Sequence, residues 1–339
     1  MSFFMRTARA DDLQTLYEMA KLTGGGFTNL PADRGALAAK LERTERALAR
    51  EGDGVEDELI VMVLENGATG QIRGTCQIFA VVGRNWPFYS YRLGALTQHS
   101  RELSRTFRAE TLSLVTDLEG ATEVGGLFLH PRERAEGLGL LLARSRYLYI
   151  RNHRSRFGDR IIAELRGVID EAGGSPFWDG LAGRFFGMSF QEADEFNAIH
   201  GNQFIADLMP RAPIYTAMLN DSARAVIGLP HPNGRAAMRM LETEGFANPG
   251  YIDIFDGGPT MVGEINSLRT IANAQDVTLS AIHESGGEKM LVTSGRLASY
   301  RCTYGLINKG DDGSISLDQN SAKILRIGAG DIFSMAARA

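Results

Sequence analysis

The sequence has little of what would indicate a secreted, metal-binding or membrane-spanning protein. Cys76 and Cys302 are its only cysteines among 339 residues, which excludes a disulfide framework and a cysteine-based metal site. No pair of its histidines has metal-ligand spacing on one helix face. No apolar run approaches the ~18 residues of a membrane span, and the start of the chain shows no signal-type cleavage site. We therefore expect a cytoplasmic protein with no metal and no membrane partner.

Positive charge is not in excess either. The formal net charge is −5, which gives no reason to expect a nucleic-acid partner. The basic run from Arg151 to Arg160 is a local exception. Its expected place at a helix C-terminus explains it by favourable interaction with the helix dipole.

One segment, from Glu123 to Arg154, has a pattern that predicts ligand binding. It predicts a buried strand ending at Leu129, a charged loop through Arg134, and a helix that opens on Gly137, Leu138 and Gly139. Glycines let backbone N–H groups approach a diphosphate closely, and the N-terminal end of a helix favours an anion. The segment therefore predicts a phosphate-binding loop.

Two other phosphate-binding motifs are excluded. A dinucleotide-binding turn needs a third glycine at position 142, which is Leu142. A nucleotide P-loop needs a Gly-Lys-Ser/Thr sequence, which is absent near this loop.

The remaining chain alternates between helix and strand patterns. Turn chemistry predicts a hairpin over 59–82, an irregular aromatic stretch over 83–103, and a buried strand over 161–168. Ser175-Pro176 predicts a helix start, followed by mainly helical sequence to about 220. From Val277 short alternating strands separated by Gly, Asp and Asn predict a small all-β subdomain, which we place at 265–339.

The spacing of Arg134, Gly137 and Gly139 resembles the acyl-CoA signature of the GNAT N-acyltransferase superfamily. The resemblance implies an α+β, GNAT-like fold with a mixed, mostly antiparallel sheet, splayed central strands and helices on both faces. It places an N-acyltransferase domain at 1–262, with a helical insertion around 172–230. It also implies that backbone groups around Leu127 and Leu129 pair with the pantetheine arm of CoA.

Longer blocks are similar to one family within that superfamily, the arginine N-succinyltransferases. The blocks with this similarity are WPFYSYR (86–92), TEVGGLFLHPRER (122–134), LLLARSRYLYI (140–150), IIAELRGVIDEAGGSPFWDGLAGRFFGMSF (161–190), FIADLMPRAPIY (204–215), ARAVIGLPHPNGRAAMRMLETEGF (223–246) and GYIDIFDGGPTM (250–261).

The family resemblance implies transfer of succinyl from succinyl-CoA to the α-amine of L-arginine, in arginine catabolism to glutamate and succinate. It assigns a proton-donor role to His231 and a succinyl-CoA contact to Leu127. The implied partners are these two small molecules, in a homo- or hetero-oligomer, with succinyl-CoA as a cosubstrate and no permanently bound cofactor. Two alternatives stay open: an N-acyltransferase for ornithine or another amine, and a non-catalytic acyl-CoA-binding subunit of a mixed oligomer.

Charge complementarity adds candidate substrate contacts. A guanidinium prefers a carboxylate, for which Glu164, Asp170, Glu171 and Asp207 are candidates. Arg166 and Arg211 could bind the carboxylates of the substrate or of the succinyl group. Each of these residues is equally explained as a structural ion pair.

Overall fold

The chain passes repeatedly between two structural units. The computed structural model describes residues 3–23, 29–134 and 137–338. Unit 1 comprises Met1–Ala80, Val124–Asp159 and Glu264–Ala339, and unit 2 comprises Val81–Glu123 and Arg160–Gly263.

Regular elements account for most of the described chain. The strands are β1 Phe3–Thr7, β2 Leu59–Asn66, β3 Ile72–Phe79, β4 Ser90–Ser100, β5 Arg105–Val115, β6 Thr122–Leu129, β7 Arg160–Glu164, β8 Ile214–Tyr215, β9 Ala247–Ile252, β10 Pro259–Glu264, β11 Gln275–Thr278, β12 Ala281–His283, β13 Glu288–Ser294, β14 Arg301–Lys309, β15 Ile315–Asp318 and β16 Ile332–Ala337. The helices are α1 Leu13–Lys21, α2 Arg34–Ala49, α3 Leu138–Asn152, α4 Pro176–Gly180, α5 Gly183–Phe186, α6 Phe190–His200, α7 Gln203–Leu208, α8 Asp221–Val226, α9 Arg235–Glu244, α10 Arg269–Ala272 and α11 Gln319–Leu325.

In unit 1, helices cover both faces of a mostly antiparallel sheet with the strand order β11-β16-β13-β14-β1-β2-β3-β6. The apolar run of β2 explains this arrangement, because successive side chains of a strand point to opposite faces. Val61 and Val63 pack in one cluster with residues of α1 and α2. Met62 lies opposite Cys76, whose thiol contacts the backbone oxygen of Leu142 on α3. The predicted hairpin and the two-sided cover are confirmed.

The C-terminal strands pair directly with the first strand of the chain. β14 is antiparallel to β1, with Thr303 opposite Phe4, and the Thr303 hydroxyl donates to the backbone oxygen of Phe3 at 2.7 Å. The predicted C-terminal strands are present, together with one helix, α11, that the strand-and-turn pattern did not predict. The Asp318 carboxylate caps α11 by accepting from the backbone N–H of Ser321 at 3.0 Å. β1 and β14 belong to the same unit. The two units therefore do not correspond to the predicted domains 1–262 and 265–339, and those domain boundaries stay a prediction.

Unit 2 has the strand order β6-β7-β10-β9-β4-β5-β8. The two strands expected to be neighbours, β6 and β7, are paired where they begin, in parallel, with Thr122 opposite Ile161 and Glu123 opposite Ile162. The neighbouring pairs β10–β9, β9–β4, β4–β5 and β5–β8 are antiparallel. The mixed, mostly antiparallel sheet is therefore confirmed.

The prediction of an irregular stretch at 83–103 is wrong for its second half, which forms β4. β4 pairs with β5 along all 11 residues, from Ser90 opposite Val115 to Ser100 opposite Arg105. The outer part of β4 is largely exposed and lacks a β-branched run, so local sequence carried little strand signal. Pairing with β5 makes it a strand.

The expected helical insertion is present as α4 to α8, interrupted by the short β8. Ser175 caps α4 as predicted, since its hydroxyl accepts from the backbone N–H of Trp178 at 3.2 Å. Trp178 is fully buried, and its indole N–H donates to the backbone oxygen of Met188 at 2.8 Å. Its core cluster also holds Phe177 and Tyr91.

A buried histidine makes the stability of unit 1 depend on pH. The Nε2 of His153 accepts from the backbone N–H of Leu297 at 3.1 Å, so its Nδ1 carries the proton donated to the backbone oxygen of Tyr149 at 2.8 Å. Burial lowers the pKa of His153 to about 4. The imidazole is therefore neutral in the folded protein at pH 7.

We expect acid to destabilise the wild-type protein more than a His153→Gln variant. The unfolded chain binds a proton near pH 6.5 and the folded chain does so only near pH 4, so stability falls as the pH drops through this window. The wild type should lose on the order of 1 to 3 kcal/mol more than the variant, at about 1.4 kcal/mol per pKa unit. Urea unfolding of both proteins from pH 7 to pH 4 measures this, and parallel pH curves would contradict it.

Candidate active site

The loop expected from the sequence to bind phosphate is described on both sides of positions 135 and 136, which lie outside the described residues. Gly137 precedes the first residue of α3 with φ 81°, in the left-handed region that favours glycine. A Cβ there would lie 3.2 Å from Nη2 of Arg338. The Tyr304 hydroxyl donates to the backbone oxygen of Gly137 at 3.3 Å. The left-handed conformation therefore favours glycine at this position.

The other predicted loop residues differ in their surroundings. Arg134 is exposed, Leu138 is buried, and a Cβ added to Gly139 would meet no atom within 4 Å. The structure places these residues at the N-terminus of a helix of 15 residues, with open space beside Gly139. The N-terminus of a helix favours anions, and this geometry therefore supports the prediction that the loop binds a diphosphate. Diphosphate binding itself stays a prediction.

The end of β6 carries a local change in backbone conformation. Gly126 has φ 59° within the strand, and a Cβ there would lie 3.0 Å from the Gln77 amide. Just before it, the Arg146 side chain donates to the backbone oxygen of Gly125 at 3.3 Å. Leu127 is half-buried and Leu129 is buried. Leu127 and Leu129, which are predicted to contact pantetheine, therefore follow Gly126, a backbone position that favours glycine.

His231 lies in unit 2, immediately before a 3₁₀ turn that leads into α9. Its backbone N–H donates to the backbone oxygen of Arg166 at 2.7 Å. Its Nδ1 accepts from the backbone N–H of Asn233 at 3.2 Å, so the proton of the neutral ring is on Nε2. Nε2 has no hydrogen-bond partner among the described residues. This nitrogen is available to exchange a proton with a reactant.

The surroundings of His231 favour its neutral form. Burial lowers the pKa of His231, and the charge of Arg166 lowers it further. Burial and the charge of Asp253 raise the pKa of Asp194 to about 6, against the opposing effect of Arg166. Arg166 is exposed at its side chain. The structure thus brings together two of the expected residues, His231 and Arg166.

Glu164 ends β7 and belongs to a group of three acids that we call the carboxylate cluster, with Asp253 and Asp256. Asp256 accepts from the backbone N–H groups of Gly167 and Gly258, both at 2.8 Å. Burial raises the pKa of all three carboxyl groups. The charge of Asp253 is the next cause for both Glu164 and Asp256.

Asp253 and Asp256 were missed in the sequence analysis as functional candidates. The available signal was the segment IDIFDGGP at 252–259, in which two acids and two glycines directly follow a strand. Arg211, which was expected as a substrate contact, is exposed between α7 and β8. It makes no hydrogen bond or ion pair with any residue that the structure describes.

Neither a metal centre nor a membrane span is present in the described residues. Within 3–23, 29–134 and 137–338, no group of three or more His, Cys, Asp or Glu side chains could hold a metal ion. No helix in that part of the chain is long and apolar enough to cross a bilayer.

Family models match nearly the whole chain. The model described as arginine N-succinyltransferase beta subunit matches residues 3–270, and the model of that subunit's C-terminal domain matches residues 275–337.

Individual relatives agree with the family models. The proteins named arginine N-succinyltransferase of Salmonella paratyphi B and Salmonella newport are each 42% identical over 284 residues, covering 84% of this chain and 82% of theirs. The solved structure of arginine/ornithine succinyltransferase subunit AI from Pseudomonas aeruginosa superposes with a TM-score of 0.90 at 31% identity, covering 100% of this chain and 99% of that one. As the resemblance predicted, the chain belongs to the arginine N-succinyltransferase family, a family of acyltransferases.

Proposed function

We propose that this chain transfers a succinyl group from succinyl-CoA to the α-amine of L-arginine, as a step of arginine catabolism to glutamate and succinate. Family membership supports the reaction class. The single structural observation that supports chemistry in this chain is His231, whose ring is neutral and whose Nε2 has no partner among the described residues.

In this proposal the donor is bound by unit 1. The diphosphate of succinyl-CoA lies at the N-terminus of α3, against the backbone of Gly137, Leu138 and Gly139, with Arg134 adding positive charge. Backbone groups at Leu127 and Leu129 pair with the pantetheine amides. Succinyl-CoA is a cosubstrate, so no cofactor stays bound between turnovers.

The reaction itself is an aminolysis of a thioester. The neutral amine of arginine attacks the succinyl carbonyl carbon, the C–N bond forms, and the C–S bond breaks with release of CoA thiolate. His231 takes up the ammonium proton on Nδ1, which releases the contact to the Asn233 N–H, and the resulting imidazolium supplies its Nε2 proton to the thiolate. The second proton of the attacking nitrogen is released to water. The overall products are N-succinylarginine and CoA.

The acceptor is bound by charge complementarity. Glu164 binds the guanidinium, and Arg166 and Arg211 bind the carboxylates of arginine or of the succinyl group. Arg166 lowers the pKa of His231, and its charge therefore also favours the base form.

Ornithine is the second candidate acceptor. The Pseudomonas aeruginosa relative is named an arginine/ornithine succinyltransferase subunit, which favours testing both amines. The same name and the beta-subunit description of the family model support a homo- or hetero-oligomer, in which a non-catalytic subunit is the remaining alternative.

Release of free thiol tests the proposal. The purified protein is mixed with succinyl-CoA and either L-arginine or L-ornithine, and the product is identified by mass spectrometry. Arginine-dependent thiol release with formation of N-succinylarginine is expected. Absence of release would refute catalysis by this chain alone, and release with acetyl-CoA but not succinyl-CoA would change the donor.

We expect His231→Asn to lower kcat by about 10²- to 10⁴-fold, the usual contribution of general acid–base catalysis. Asn can keep the contact to the Asn233 N–H but cannot titrate. His130→Asn is the matched control, since Nδ1 of His130 accepts from the backbone N–H of Arg132 in the same way, also next to a proline. Full turnover by His231→Asn would remove the assignment.

The pH profile gives a second check on His231. As the pH is lowered, the wild-type kcat/KM should fall with an apparent pKa below about 6.5. The pKa of His231 is lowered, so its ring stays neutral and able to accept a proton down to that pH. Arg166→Gln removes a positive charge and should move this acidic limb to higher pH. An unmoved limb would show that Arg166 does not act on the group that titrates.

We expect Gly139→Leu to raise the KM for succinyl-CoA at least ~10-fold. A Cβ at this position meets no protein atom within 4 Å, and leucine is a good helix former, so the free energy of unfolding should change by less than about 1 kcal/mol. Gly139→Ala is the control, because the acyl-CoA signature admits glycine or alanine there. Unchanged KM in Gly139→Leu would place the diphosphate elsewhere.

A further inference from the structure

Two segments of unit 2 meet at the carboxylate cluster. The backbone N–H of Leu165, which follows Glu164, donates to the backbone oxygen of Pro259 at 3.1 Å. The turn between β9 and β10 is closed by the N–H of Asp253, which donates to the oxygen of Gly258 at 2.8 Å. The end of β7 and this turn therefore place the three acids together.

The close packing of these segments depends on glycine. A Cβ on Gly167 would lie 2.3 Å from the backbone oxygen of Asp256, and one on Gly258 would lie 2.1 Å from that of Leu165. Asp256 is buried and uses both carboxylate oxygens for backbone N–H groups. Asp256 therefore has a structural role, because these bonds hold the turn between β9 and β10 against the residues that follow β7.

The same structural role does not account for the positions of Glu164 and Asp253. Both are half-buried, so a ligand can reach them. Oδ1 of Asp253 accepts from the N–H groups of Phe255 and Asp256 at 2.7 and 2.8 Å. No member of the cluster forms an ion pair with a lysine, arginine or histidine in the described part of the chain. Carboxylates brought together without a cation are costly unless a cationic ligand joins them.

Two buried hydroxyl groups beside the cluster also lack partners. The Tyr91 hydroxyl and the Thr260 hydroxyl are buried without a hydrogen bond of good geometry, on residues that are 0% exposed. Tyr91 lies opposite Ile252 across the β4–β9 pair, one residue before Asp253, whose charge raises the pKa of the phenol. Thr260 directly follows Pro259, and its hydroxyl interacts with Glu164 in a hydrogen bond of poor geometry that lowers the pKa of that carboxyl. A buried polar group without a partner costs about 1–3 kcal/mol, which indicates a missing ligand.

We propose that Glu164, Asp253, Tyr91 and Thr260 form a binding site in unit 2 for the guanidinium side chain of the acceptor amino acid. Asp256 is a positioning residue that holds Asp253 in place. The inference rests on the proposed function and extends it to three residues outside the expected site.

A guanidinium fits this set better than an ammonium does. It is planar, always charged, and presents five N–H donors, enough for two carboxylates and two hydroxyl acceptors. An ammonium has three donors on a single atom and leaves some of these acceptors unpaired. Arginine should therefore bind more tightly than ornithine, and citrulline, which replaces the guanidinium by an uncharged group of the same shape, should bind poorly.

The test compares binding and turnover in the full-length protein. Thermal shift and calorimetry are recorded with L-arginine, L-ornithine and L-citrulline, and thiol release from succinyl-CoA gives KM for each substrate. The variants are Asp253→Asn, Tyr91→Phe and Thr260→Val. Glu242→Gln, which changes an exposed acid on α9, is the charge-matched control.

Asp253→Asn should weaken arginine binding and raise its KM by ~10- to 100-fold, the range for a hydrogen bond to a charged group. Tyr91→Phe should raise the arginine KM by about 3- to 10-fold, the worth of a neutral hydrogen bond, without lowering the Tm. The KM for succinyl-CoA should change less than about 2-fold in both variants, and Glu242→Gln should behave as wild type.

Several outcomes would overturn the proposal. Equal stabilisation by citrulline and arginine would exclude a cation site, and unchanged arginine binding in both Asp253→Asn and Tyr91→Phe would exclude these residues. If arginine stabilises the wild type and not Asp253→Asn, the site is supported even when thiol release is absent. In that case only the proposed function fails.

Discussion

The buried arginines of α3 impose the constraint on which unit 1 depends. α3 carries Arg144 and Arg146 among buried residues, and a buried guanidinium is stable only when its N–H groups find acceptors. Arg144 donates to Thr270 at 2.7 Å and to the backbone oxygen of Arg338, and Arg146 donates to the oxygen of Gly125. These bonds connect α3 to α10, to the residue that follows β16, and to β6.

Unit 2 is organised around charge of the opposite sign. Its carboxylate cluster is held by backbone N–H groups and close glycine packing, and burial raises the pKa of all three carboxyl groups. A bound cation would oppose that rise and favour the charged form. His231 is joined to the same unit through the backbone of Arg166. In the proposals above, the carboxylate cluster holds the guanidinium of the acceptor, and the neutral imidazole of His231 handles the proton of its α-amine.

Local patterns were sufficient wherever backbone chemistry decides the conformation. The hairpin of β2 and β3, the capped start at Ser175 and the glycine at 137 follow from turn, cap and left-handed preferences of single residues. The strand β4 and the helix α11 were not predictable in this way. β4 is defined by pairing with β5, and α11 lies inside a run of strand-like segments.

The sequence by itself determined the family, because long contiguous blocks carry the resemblance. It also predicted the loop with Arg134, Gly137 and Gly139 from their spacing, and His231 from the resemblance. Only the tertiary structure brought Asp253, Asp256, Tyr91 and Thr260 to Glu164. These residues are spread over about 170 positions, and what they share is a polar group withdrawn from water, a property that exists only once neighbouring strands have buried them.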